Sequence, residues 1–89
     1  MHERPVTIVN RLGLHARAAA KLVTTASSFS SEVELSKNGR KVNGKSIMGV
    51  MMLAASRGTE LILITNGSDE IVAADTLETL IADRFGENE

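Results

Sequence analysis

The spacing of hydrophobic positions changes from segment to segment along the chain. Pro5-Val6-Thr7-Ile8-Val9 is β-branched, with Val6 and Ile8 on one face, and predicts a first strand. From Ala16 the apolar residues recur at intervals of three and four. Ala16, Ala19, Ala20, Val23 and Ala26 or Ser27 then form the stripe of an amphipathic helix. Glu32-Val33-Glu34-Leu35-Ser36 alternates at period two, and Asn38-Gly39 is the dipeptide that a two-residue type I′ hairpin requires. Arg40 to Val42 is the return strand. Ile47 to Ala54 is helix-like again, with Arg57-Gly58 as its exit. Leu61 to Ile64 is the most apolar run and predicts the central strand. Ser68 is placed to cap a last helix, with Asp69 and Glu70 favourable in its first turn and Gly86 as its stop. The core stripe of that helix is Ile71, Ala74, Leu77, Ile81 and Phe85.

The resulting order, β-α-β-β-α-β-α, is two βαβ-like halves joined by a hairpin. It predicts an α+β fold, an open-faced two-layer sandwich. Its four-stranded, mostly antiparallel sheet carries the helices on one face, with the ferredoxin-like arrangement as the natural comparison. At 89 residues there is room for one domain, 1–89, and no linker, repeat or low-complexity stretch divides it. The only aromatics are Phe29 and Phe85, so the core is aliphatic and a stacking platform for bases is lacking.

Ten basic and eleven acidic residues leave a net charge of −1, which offers no field for nucleic acid. The absence of cysteine excludes disulfide scaffolds and thiolate metal sites. His2, expected in a flexible tail, has no visible partner ligands, so neither a metal nor a cofactor is expected and a metal-carrier reading is disfavoured. No run approaches the ~18 apolar residues of a membrane span, and the start carries no apolar leader. A cytoplasmic protein without membrane contact is the expectation.

The first chemical anomaly is Gly13-Leu14-His15-Ala16-Arg17. A helix N-terminus carries about half a positive charge and leaves up to four N–H groups unpaired. Ser, Thr, Asp or Asn normally caps it, and acidic residues follow. Here the boundary residue is His15, Arg17 stands in the first turn and Lys21 one turn on. No carboxylate lies between Glu3 and Glu32. Two readings stay open on these residues. In one, His15 is a mediocre cap beside a solvated arginine. In the other, free N–H groups, the helix dipole and the guanidinium converge on an anion beside an imidazole, whose lone pair can hold a transferred group covalently.

Gly39-Arg40-Lys41-Val42-Asn43-Gly44-Lys45-Ser46 matches the phosphate-loop string G-x-x-x-x-G-K-[ST] letter for letter. Its context is wrong. The first glycine falls in a predicted hairpin, Arg40 to Val42 is needed as strand, and the second apolar strand runs into Thr65-Asn66-Gly67 without a Mg²⁺-binding aspartate. The match reads as coincidence. What remains is Ser46 as an N-cap to a helix apolar almost all round. Ile47, Met48, Met51 and Met52 cannot all enter a thin core, so part of the helix is expected at the surface. An exposed methionine patch suits docking onto more than one partner. Arg17, Lys21 and Lys45 would ring that patch. A phosphate on Ser46 would suit the helix dipole but put roughly −2 charge at the patch edge.

Gly13-Leu14-His15-Ala16-Arg17-Ala18-Ala19 together with Lys45-Ser46-Ile47-Met48-Gly49-Val50-Met51 resemble HPr, the histidine-containing phosphocarrier family of the bacterial phosphoenolpyruvate-dependent phosphotransferase system. The resemblance covers essentially the whole chain. It implies a carrier, not an enzyme in its own right. Such a carrier accepts a phosphoryl group from phosphorylated enzyme I on Nδ1 of His15 and passes it to a histidine of an EIIA domain, with Arg17 steadying the group. It further implies that Ser46 is an ATP-dependent regulatory site in bacteria that possess HPr kinase/phosphorylase. The partner surface would be Ile47, Met48 and Met51 with the first helix around Ala20, on a monomer. The alternative is a nitrogen-related or otherwise regulatory paralogue that acts on transcription or kinase partners and not on sugar uptake. One position departs from the family. Ala18 stands where proline is common, and alanine there restores an N–H donor at a point of the helix that does not need one.

Overall fold

A computed structural model describes residues 1–89. Its elements are β1 (His2–Thr7), α1 (Ala16–Ser27), β2 (Glu32–Lys37), β3 (Arg40–Asn43), α2 (Ile47–Met52), β4 (Glu60–Asn66) and α3 (Glu70–Ala82), followed by a 3-10 turn over Arg84–Gly86. The strands form one sheet in the order β1-β4-β2-β3, and every neighbouring pair is antiparallel. β4 is therefore central, as its apolar run predicts. β1 and β2 run in the same direction with β4 between them, and β3 and β4 do so with β2 between them. Both β-α-β halves are thus split crossovers, each helix stepping over one strand. No pair is parallel, so the predicted mostly antiparallel sheet is wholly so.

Alternation in the strands separates the two sheet faces. Val33, Leu35, Leu61 and Leu63 are buried beneath the helices, while Ile62 on β4 is exposed on the open face. Ile64 breaks the pattern: it is on the open face, yet buried, with Glu3 and Glu34 as its cross-strand neighbours. The hairpin at Asn38-Gly39 has φ of 52° and 85°, both positive, as a type I′ turn demands. β3 follows directly, so the phosphate-loop string is split between a hairpin and a strand.

Several predicted details shift. β1 starts at His2, so this residue belongs to a paired strand opposite Thr65 and not to a loose tail. The ring of His2 lies within hydrogen-bonding distance of Arg4, whose Nη1 donates to Asp75 and Glu78 on α3 at 2.8 Å. The buried face of α1 is Ala18, Ala19, Leu22 and Ala26; Ala16 is exposed, so the stripe is rotated from the one the alanines suggest. Leu22 is the largest side chain on that face, and it sets the orientation. α2 ends at Met52, and the exit is Ala54 with φ of 49°, ahead of Arg57-Gly58. In α3 Ile71 is half exposed and Ala73 is buried. Helix order gives way after Ala82, where Arg84 and Phe85 take φ of 57° and 55° before Gly86 at 78°. Phe85 remains fully buried as the largest side chain in the core.

The start of α3 is held differently from expectation. The N-cap is Asp69, not Ser68, and its carboxylate reaches across to the loop between α1 and β2. It accepts hydrogen bonds from the backbone N–H of Ser30 at 3.0 Å and of Ser31 at 2.9 Å, and from both serine hydroxyls. The Ser31 hydroxyl is the main reason, with the Ser30 N–H next, that the Asp69 carboxyl is lowered to about 2. A carboxyl with a depressed folded-state value contributes stability above its unfolded value, near 3.9, and loses that contribution as pH falls through the folded value. Asp69→Ala should therefore melt below the wild-type protein at neutral pH. The gap should close between about pH 4 and pH 2. A gap in melting temperature that stays constant over that window would contradict this account of the clasp.

Candidate functional site

The path from β1 to α1 is fixed by backbone contacts. Ile8 N–H donates to the Thr59 carbonyl at 2.9 Å, and Gly58 N–H donates to the Ile8 carbonyl at 2.7 Å. Asn10, fully buried, then closes a tight turn. Its Nδ2 donates to the Gly13 carbonyl at 2.8 Å while Gly13 N–H donates to the Asn10 carbonyl at 3.2 Å. Gly13 has φ of 68°, and a Cβ there would stand 2.5 Å from the Ala55 carbonyl oxygen, so only glycine fits. Leu14 is buried, and its N–H donates to the same Ala55 oxygen at 2.9 Å. The next residue is His15, delivered to the rim with an extended backbone as the N-cap of α1.

His15 caps nothing with its ring, and the first turn of α1 holds no acidic residue. The N–H groups of Ala16, Arg17 and Ala18 find no acceptor within the chain. The expected bare helix start is real in these respects. The N–H of Ala18 is unused, so a proline at this position would forfeit no hydrogen bond.

Carboxylates nevertheless reach this start from the far end of the chain. The turn at Arg84–Gly86 folds the C-terminal residues back across the start of α1. His15 Nε2 and Glu87 Oε2 are 2.5 Å apart, and Glu87 Oε1 accepts from Asn10 Nδ2 at 3.1 Å. Arg11 pairs with Glu89 at 2.7 Å and its N–H donates to the Glu89 carbonyl at 2.5 Å. Desolvation pushes the Glu87 carboxyl upward. The hydrogen bonds from His15 and Asn10 and the charges of His15 and Lys21 outweigh it, holding the group below the usual carboxylate range. Sequence separation hid this residue: Glu87 lies 72 positions beyond His15. No local signal marks it, because the turn that returns Glu87 rests on positive φ at Arg84 and Phe85, neither of them glycine.

The result is a cleft of about 760 Å³ whose lining includes Arg11, Arg17, Glu87 and Glu89. The imidazole of His15 lines the same cleft, its side chain 28% exposed. Arg17 is exposed, lines the cleft and makes no hydrogen bond or ion pair within the chain. Its guanidinium is free to meet an incoming anion beside the ring. No group of three or more metal-binding side chains is present.

The other predicted residues divide between the two ends of α1. Lys21 Nζ donates to the Phe85 carbonyl at 2.6 Å, so this lysine braces the turn that carries Glu87. Lys45 Nζ donates to the Phe29 carbonyl at 2.8 Å, just past the C-terminal end of α1 and away from His15. Of the three cations expected around the apolar patch, Arg17 alone is unpaired, while Lys21 and Lys45 each brace a backbone carbonyl. Ser46 caps α2, its hydroxyl accepting from Gly49 N–H at 3.1 Å. α2 buries only Val50 and leaves Ile47, Met48, Met51 and Met52 exposed, Met48 to 76%. Ala20 on α1 is half-buried. Leu12, 65% exposed on the cleft wall, is a surface apolar residue that periodicity did not single out.

The chain is similar to known proteins along its whole length. A family model described as "PTS HPr component phosphorylation site" matches residues 2–83. The phosphocarrier protein HPr of Cupriavidus necator is 58% identical over 89 residues, covering both chains in full. The crystal structure of HPr-C-His from Thermoanaerobacter tengcongensis superposes with a TM-score of 0.96 at 47% identity, again over the full length of both chains. An HPr dimer from the same organism gives 0.79 at 48% identity, covering 98% of this chain and all of that one.

Proposed function

The chain belongs to the HPr family of phosphotransferase-system phosphocarriers, and from that premise we propose that it is a single-domain phosphoryl carrier whose acceptor is His15. The observation that carries this reading is the imidazole at an uncapped helix start, with Nε2 engaged by Glu87 and the unpaired Arg17 on the same cleft. One ring nitrogen is thereby spoken for, and the other, Nδ1, has no partner in the chain. Phosphorylated enzyme I is the donor in this reading, and an EIIA-type histidine is the acceptor downstream. The transferred group passes in line through a loose, metaphosphate-like transition state, which asks for positioning and charge more than for covalent chemistry from the carrier. Arg17 supplies part of that charge, with the free N–H groups at the start of α1 beside it. The protein remains a carrier because its donor and acceptor contribute the rest of each transfer site.

Docking falls to the apolar surface of α2, where Ile47, Met48 and Met51 stand exposed, with Ala20 on the neighbouring helix. In this reading the carrier works as a monomer, which keeps that face open to successive partners. Ser46 is the proposed regulatory phosphorylation site, the substrate of a kinase of the HPr kinase/phosphorylase type. Its hydroxyl already points at the α2 N-terminus, where a phosphate would keep the helix dipole's favour while placing roughly −2 charge beside exposed Ile47. Lys45 stays with the α1 end of this surface, bound to the Phe29 carbonyl. The same site would serve a sugar-transport or a nitrogen-related relay alike.

His15→Ala should fold normally and take no label from phosphoenolpyruvate and enzyme I; a mutant labelled as well as wild type would remove the assignment. Ser46→Asp should accept the phosphoryl group severalfold more slowly, and the loss should appear in the KM for enzyme I because the change lies on the docking face. An unchanged KM would end the regulatory reading.

A further inference from the structure

We infer that Glu87 is a positioning residue for the proposed phosphoryl transfer, fixing the His15 ring in the Nε2–H tautomer so that Nδ1 presents its lone pair. The inference rests on the carrier reading of His15. A neutral imidazole carries its hydrogen on one nitrogen only, and the hydrogen-bond partner of that nitrogen decides which. Glu87 Oε2 is 2.5 Å from Nε2, and an ionised carboxylate can only accept. The carboxyl is held in the ionised form, with its side chain 14% exposed. Nε2 must then be the donor, and Nδ1 is the nitrogen left to attack.

The second oxygen of Glu87 is also committed. Asn10 Nδ2 donates both to the Gly13 carbonyl and to Glu87 Oε1, at 2.8 and 3.1 Å. A carbonyl can only accept, so the Asn10 amide nitrogen, and not its oxygen, faces Gly13 and Glu87. Asn10 Oδ1 meanwhile is buried without a partner, which shows how strongly the nitrogen's two bonds dictate the orientation. The chain Gly13–Asn10–Glu87–His15 is thus directional: each donor is forced by the acceptor before it.

Backbone strain points the same way. Arg84 and Phe85 hold φ of 57° and 55°, a left-handed backbone that is strained in any residue but glycine. Phe85 stays there because its ring fills the core and its carbonyl receives Lys21. The strained turn is what carries Glu87 back to the histidine. In the acceptance step, the Nδ1 lone pair forms the N–P bond as the donor–phosphorus bond breaks and its electron pair leaves with the donor. Nε2 keeps its hydrogen, and the positive charge that the ring gains faces the Glu87 carboxylate.

Glu87→Gln tests this sharply because it keeps the shape and changes the donor pattern. The Gln carbonyl must face Asn10 Nδ2, which turns its NH₂ toward His15 Nε2 and forces the hydrogen onto Nδ1. Long-range ¹H–¹⁵N spectra of the full chain in mildly alkaline buffer should show Nε2–H in the wild type, Nδ1–H in Glu87→Gln and a mixture in Glu87→Ala. Phosphoryl uptake from phosphoenolpyruvate and enzyme I should fall at least about tenfold in kcat for Glu87→Gln, less for Glu87→Ala, with the KM for enzyme I little changed. Either an Nε2–H tautomer retained in Glu87→Gln or uptake at the wild-type rate would overturn the inference. If the wild-type protein takes no label at His15, the carrier reading itself fails. If His15 is labelled and Glu87→Gln behaves as wild type, only the role of Glu87 fails.

Discussion

The turn from Asn10 to Leu14 packs backbone against backbone on the exit of α2, and the Ala55 carbonyl sits at the centre of that contact. It accepts from Leu14 N–H at 2.9 Å and would stand 2.5 Å from any Cβ at position 13. Because the oxygen belongs to the chain leaving α2, the same contact ties the exposed apolar helix to the start of α1. Asn10 closes the turn from within, and its amide reaches past Gly13 to Glu87. The position of the imidazole, the bare helix start and the tail carboxylate are consequences of one tight approach. A looser loop would leave each of them free to move by more than a phosphoryl transfer tolerates.

The rest of the fold is economical around that junction. An aliphatic core of Leu, Ile, Val and Ala with one buried Phe supports the sheet and three helices, and α2 spares only Val50 for it. A six-residue helix that keeps its methionines outside is a poor contribution to stability and a good surface for partners. The two ends of α1 divide the proposed tasks. The acceptor stands at its N-terminal end, and the Ser46 cap lies toward the end where Lys45 binds the Phe29 carbonyl. A charge placed at Ser46 would therefore act through docking and not through contact with the imidazole.

Local periodicity made the elements legible. The alternation of Glu32 to Ser36, the Asn38-Gly39 hairpin and the apolar run of β4 appear where their patterns place them, whereas β1, expected over Pro5 to Val9, runs from His2 to Thr7. Ser46 caps as its position suggests, and the methionines emerge because a short helix has too little core to receive them. What failed was the rotation and ending of helices. In α1 the alanines looked equivalent, and only the bulk of Leu22 decides which face goes inward. α2 and α3 end on non-glycine residues at positive φ, Ala54 and Arg84, which composition does not mark. The site was half legible. His15 and Arg17 stood out by violating capping preferences, whereas Glu87 became visible only when tertiary folding returned the chain end to the helix start.

The central claim is that His15 receives the phosphoryl group on the ring nitrogen that the fold leaves unpartnered. ³¹P–¹⁵N correlation spectra of the ¹⁵N-labelled protein, phosphorylated with phosphoenolpyruvate and enzyme I, read the linkage directly. The structure predicts phosphorus coupled to Nδ1 of His15, with Nε2 still bearing its hydrogen toward Glu87. Coupling to Nε2, or phosphorus on any other residue, would contradict it.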